Sequence, residues 1–198
     1  MVAKLDLAIF DGPRAWAAWL TKHHAVSRGV WLKLAKKSAH TPSVTYAEAV
    51  EVALAWGWID GHKRAHDDKW WLQKFTPRGA KSVWSKINRG KAEALIAAGE
   101  MKPSGLREVE RAKADGRWAA AYDSPRTSTV PDDLARALAA NRRASAFFQI
   151  IDAANRYAIL YRVQTAKRPE TRADRIDKLV AMLAKHETLH PLRKRRGH

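Results

Sequence analysis

Between Trp56 and Asn88 the chain reads WGWIDGHKRAHDDKWWLQKFTPRGAKSVWSKIN, and five of its nine tryptophans fall there. An indole is a large apolar body with one N–H donor, so this density demands a folded core, a recognition surface, or both. The indoles are interleaved with Asp60, His62, Lys63, Arg64, Lys69, Lys74, Arg78 and Lys81. Within the stretch, WIDGHKRA (58–65) and KWWLQKF (69–75) are short β-prone runs joined by His66-Asp67-Asp68, which predicts an antiparallel hairpin. Successive strand residues face opposite ways, so Trp70 and Trp71 fall on opposite sides, one of them entering the core.

The flanking sequence supplies partners for that hairpin. Asp11-Gly-Pro13 opens a helix to about His24 with Trp16, Trp19 and Leu20 on one face. After Gly29, VWLKLAKK alternates as a strand does, with Val30, Leu32 and Leu34 on one side. Thr45-Tyr-Ala-Glu48 is a capping box for a helix that buries Tyr46, Ala49, Val50, Ala53 and Leu54 and closes at Gly57. Thr76-Pro77-Arg78-Gly79 is a turn before a helix from about Lys81 to Ala98. Pro103 starts another helix that breaks near Gly116. The turn-rich YDSPRTSTVPDD (122–133) marks a boundary, and the remainder is helical. Its last helix, from Pro169, carries Ala173, Ile176, Val180 and Leu183 as an amphipathic stripe. The expected fold is α+β: a small antiparallel sheet (30–36, 58–65, 69–75) packed with helices, then a helical C-terminal unit. The domains read as 1–120 and 121–188, with 189–198 a basic tail.

A chain of 198 residues can bury one good core or a core plus a smaller unit. The absence of cysteine excludes disulfides, thiolate metal sites and a cysteine nucleophile. The opening residues lack the apolar run of a signal peptide and no stretch reaches the length of a membrane span, which predicts a cytoplasmic protein. Net charge is +17, distributed as +2 over residues 1–60, +6 over 61–105 and +9 over 106–198. A field of that sign concentrates polyanions such as nucleic acid, and equally serves solubility.

Each motif has a chemical and a structural reading. Asp60, the acidic group among the indoles of AWGWIDG, suits a general base, a cation ligand or an ion pair with Arg78, and equally a turn-orienting role. His62 and His66 are four apart on a strand and its turn, too far apart to chelate easily, so no metal site is expected. Arg78, Ser82 and a helix start form either an anion pocket or ordinary capping. Arg168, Arg172 and Arg175 crowd the start of the last helix, where cations oppose the helix dipole. They call for acidic partners such as Glu170 and Asp174, or for a bound anion. Phosphate-loop, dinucleotide, serine-hydrolase and zinc patterns are absent.

In AVEVALAWGWIDG, FTPRGAKSVWSKIN, LIAAGEMKPSG, AKADGRWAAAYD and AKRPETRADRIDKL, in that order over residues 10–185, the chain resembles the YdeI/OmpD-associated, or bacteriocin-protection, family. Residues of the family pattern present here include Trp58, Asp60, Gly61, Pro77, Arg78, Ser82, Trp84, Asn88, Met101, Gly105, Gly116, Trp118, Lys167, Thr171 and Arg172, with a departure at Gly79-Ala80. The resemblance implies a bacterial stress-resistance role against bacteriocins and antimicrobial peptides. It implies no reaction and no cofactor, so no catalytic residue is carried across. The expected function is protection through an anionic or aromatic ligand, with Trp58, Asp60, Arg78 and Ser82 as the core of the site and Trp84, Asn88, Lys167 and Arg172 added from the family pattern. On this reading Trp58→Ala and Arg78→Ala remove protection from a folded protein. The alternatives are a nucleic-acid-binding protein and an enzyme with Asp60 as base.

Overall fold

A computed structural model of the protein describes residues 5–166 and 168–192. The chain divides into two compact units, one of residues 1–83 with 88–119, the other of residues 84–87 with 120–198. The fold is α+β, with the sheet in the first unit and a set of helices in the second.

The sheet runs in the order β1-β2-β4-β3, from β1 (Asp6–Ala8), β2 (Val30–Ala35), β3 (Trp58–Ala65) and β4 (Trp70–Pro77). β2, β4 and β3 pair antiparallel as the alternation predicts, and a parallel edge strand β1, which the sequence does not announce, makes the sheet mixed. Pairing of Val30 with Phe75, Leu32 with Gln73 and Leu34 with Trp71 puts these six side chains on one face. On that face lie α1 (Pro13–His23) and α2 (Tyr46–Ala55). Trp16 of α1 is the hub: its ring lies 5.7 Å from Phe75 and 6.2 Å from Trp58, and its indole N–H donates to the Ala49 carbonyl of α2 at 3.1 Å. The register shifts between Asp60 and Lys63, where the buried Gln73 side chain donates to the Gly61 carbonyl at 2.8 Å. That bond satisfies an acceptor that the bulge takes out of the ladder.

The capping box of α2 forms as expected, with the Thr45 hydroxyl accepting from the Glu48 N–H and Glu48 returning the bond to the Thr45 N–H. Gly57 then takes φ +75, ending the helix. Tyr46, expected on the buried side, is 43% exposed, because it is the first residue of α2 and projects past the packed turn. The helix expected from Lys81 begins only at Lys86, as α3 (Lys86–Ala97). Ser82 and Gly79 first close a turn, and the N–H of Lys86 is bonded to the Tyr122 carbonyl. α4 (Pro103–Ala114) crosses the end of α2 so closely that a Cβ at Gly105 would stand 2.3 Å from the Ala55 carbonyl oxygen.

In the second unit, Ser85 and Tyr122 make a parallel bridge, and α5 (Asp132–Ala139), α6 (Arg142–Ile150), α7 (Ala153–Gln164) and α8 (Pro169–Ala184) enclose a core that includes Leu134, Phe147, Ile159, Ile176 and Leu183. Asn141 and Asp152 cap α6 and α7 with their side chains.

Candidate functional site

The predicted site residues do not gather on one open surface. Trp58 is 1% exposed, edge-on to Trp16 and Trp19, with its indole N–H donating to the His24 carbonyl at 3.2 Å. Arg78 is 4% exposed; its Nη1 donates to the Val83 carbonyl at 3.4 Å and its own carbonyl accepts from Arg111. Ser82 closes the turn, its hydroxyl accepting from the Gly79 N–H at 3.0 Å and its carbonyl accepting from Arg117 Nη1 at 2.7 Å. Arg117 itself is buried, its Nε paired with the Asp115 carboxylate. Asn88 is half-buried in α3, and Trp84, in the second unit, is buried. Lys167 and the RKRR of the tail lie outside the described residues.

Arg172 has its acidic partner, though not the near neighbours Glu170 and Asp174. Its Nε and Nη2 donate to the two Asp133 oxygens at 2.6 and 2.9 Å, and Nη1 donates to the Val163 carbonyl at 2.8 Å. This two-pronged bond holds the Asp133 carboxyl below its ordinary range and raises the arginine in turn. Arg172 thereby fastens α8 to the start of α5.

Asp60 leads to a different place. Its Oδ2 accepts the Tyr46 phenol proton at 2.7 Å, and the Tyr46 ring stands 5.9 Å from that of Trp71. Among the described residues Asp60 makes no ion pair. Tyr46 and Trp71 form one wall of a cleft of about 560 Å³, and the loop after β2 forms the other with Lys36, Lys37, His40 and Thr41. The loop is built by specific bonds: the Lys36 N–H donates to the Lys69 carbonyl, the Ala35 N–H to the Ser43 hydroxyl at 3.0 Å, and His40 adopts φ +48. A left-handed non-glycine residue costs backbone energy, and such positions recur at functional sites. Among the described residues no carboxylate lines the cleft, while two lysines, a histidine and four hydroxyl-bearing residues do.

The size and chemistry suit a small ligand: concave, largely apolar, with a few polar groups to orient the guest. A second concavity of about 420 Å³ between Pro13, Val52, Trp56 and Leu95 has three carboxylates, Glu48, Glu51 and Glu100, and one lysine, Lys102, among its lining residues. The formal charge of that lining is negative, whereas that of the first is positive. The signal for the first cleft lay in AKKSAHTPS: two lysines and a histidine between a strand and a capping box. No group of three or more acidic or histidine side chains among the described residues is placed to hold a metal ion, and no described helix is long and apolar enough to cross a membrane.

Comparison with known families gives two matches. Residues 8–108 match a domain of unknown function (DUF8412), and residues 127–186 match the family described as bacteriocin-protection, YdeI or OmpD-associated. No curated protein and no solved structure matches the chain.

Proposed function

The chain belongs to the DUF8412 family and carries a YdeI/OmpD-associated segment, and from that premise we propose a bacteriocin-protection protein that works by binding a small anionic or aromatic ligand in the Tyr46–Trp71 cleft. The observation that carries the reading is the composition of the cleft wall: an aromatic pair on one side, Lys36, Lys37 and His40 on the other, and no carboxylate among the described residues that line it. An aromatic ring packs against the wall made by Tyr46 and Trp71 while its carboxylate or phosphate faces the lysines. The Asp60 carboxylate keeps the phenol of Tyr46 oriented, so Asp60 is a positioning residue in this account.

Both lysines are exposed, so each contributes modestly to binding. Reversing both in Lys36→Glu/Lys37→Glu replaces attraction by repulsion, worth about 2 kcal/mol in total or roughly thirty-fold in affinity. Survival of cells that express the protein and are challenged with a bacteriocin is the readout. Protection is expected to fall in this double variant and in Trp71→Ala, with circular dichroism reporting that each variant is folded. Full protection by both folded variants overturns the proposal.

A further inference from the structure

The face of the sheet turned away from α1 and α2 has its own chemistry. The register that places Leu34 and Trp71 inward places Trp31, Lys33, Trp70, Leu72 and Lys74 outward, and Arg64, opposite Leu72, joins them. The inward residues of β2 are 0–1% exposed, whereas these outward residues are half-buried or exposed. The two indoles carry cations on their rings: Arg64 lies 4.4 Å above Trp31 and Lys33 lies 5.2 Å from Trp70. No carboxylate points outward from β2, β3 or β4; Asp67 and Asp68 stand in the hairpin turn at one end, where Asp67 feels the charge of Lys33.

We infer that this outer sheet face binds single-stranded nucleic acid, with Trp31 and Trp70 as stacking platforms and Arg64, Lys33 and Lys74 as phosphate contacts. Three features favour this class of partner. First, a strand of nucleic acid alternates π-faces with negative charges, and here indoles alternate with cations. Second, Trp70 is paired with Ala35, four residues along β2 from Trp31, so the platforms stand about 14 Å apart on neighbouring strands. That leaves room for Lys74, directly opposite Trp31, to meet the intervening backbone. Third, aromatic side chains on an open sheet stack with unpaired bases, while a duplex keeps its bases stacked inside. The +6 charge of residues 61–105 and the +17 of the whole chain draw such a partner in from a distance. The small-ligand cleft is separate, because Trp71 points through the opposite face.

The test is fluorescence anisotropy with labelled oligothymidine and the full-length protein. Saturable binding is expected, falling log-linearly with salt, competed by unlabelled single strands and poorly by a duplex of equal length. Trp31→Ala and Trp70→Ala should each weaken it roughly five- to hundred-fold. Arg64→Glu and Lys74→Glu should each flatten the salt slope. Circular dichroism reports folding, and Trp31→Phe, which keeps a ring, should retain most of the affinity even if the alanine variant unfolds. Equal binding by the tryptophan variants, a preference for duplex, binding only to anionic lipid vesicles, or no binding would each overturn the inference.

Discussion

Trp58→Ala lowers the stability of the protein by about 3–5 kcal/mol. The indole is 1% exposed and lies edge-on to two other tryptophans, with ring centroids 6.2 Å from Trp16 and 5.8 Å from Trp19. Truncation removes that area from the core and leaves a void among rigid rings with little freedom to collapse. It also deprives the His24 carbonyl of the donor that now meets it at 3.2 Å. A domain is stable by only about 5–15 kcal/mol, so the change is a large share of the whole. A urea titration is the direct check. Any loss of protection in this variant should come with a shifted midpoint, and Trp58→Phe should fall between the two. A midpoint within about 1 kcal/mol of the parent would mean that Trp58 is not a core residue.

Gly105→Ala is the second large effect, and it arises from crowding. The added Cβ would stand 2.3 Å from the Ala55 carbonyl oxygen and 2.5 Å from the Met101 sulfur. The thioether can swing away; the carbonyl cannot move so easily, because it closes the end of α2 and accepts from the Lys102 N–H at 3.0 Å. Overpacking against backbone costs about 1–3 kcal/mol even where the surroundings give. The expected result is a destabilisation near the top of that range, although alanine is the better helix former by roughly 1 kcal/mol. Gly90, in the neighbouring helix α3 with no atom within 4 Å of a Cβ, is the matched control. Gly90→Ala should leave stability equal or raised. Equal midpoints for the two variants would contradict the close crossing of α2 and α4.

Much of the fold was legible because its signals are local. The Thr45–Glu48 capping box, the positive-φ Gly57 and the prolines at the starts of α1, α4 and α8 each act within a few residues of where they stand. Alternation in β2 and β4 likewise named the inward set Val30, Leu32 and Leu34. What the sequence left open depends on contacts between distant residues. Alternation required Trp70 and Trp71 to face apart, but only the pairing of Leu34 with Trp71 decides which faces inward. Arg172 demanded an acid, and the one it meets is 39 residues away rather than one turn along. β1 is three residues long, too short to carry a periodic signal. The indole count in residues 56–88 was plain. Its division between core (Trp58, Trp84) and partly exposed surface (Trp70, Trp71) followed from the register and packing of the folded chain.

The same holds for the candidate site. Asp60 was singled out as the carboxylate among indoles, and its partner proved to be the phenol of Tyr46, fourteen residues earlier. That bond leads to the cleft. The lysines opposite, in a loop that reads as an ordinary connection, acquire meaning only when β4 brings Trp71 alongside.

The proposed ligand sits between the Lys36–Thr41 loop and the Tyr46–Trp71 wall. Indole N–H resonances followed by NMR while phenyl phosphate is titrated into the protein locate it. A saturable shift of the Trp71 indole and of the amides from Lys36 to Tyr46 is expected, with the Trp58 indole and the Arg78–Ser82 turn unmoved. Saturable shifts centred on Trp58 and Arg78, with Trp71 stationary, would contradict it.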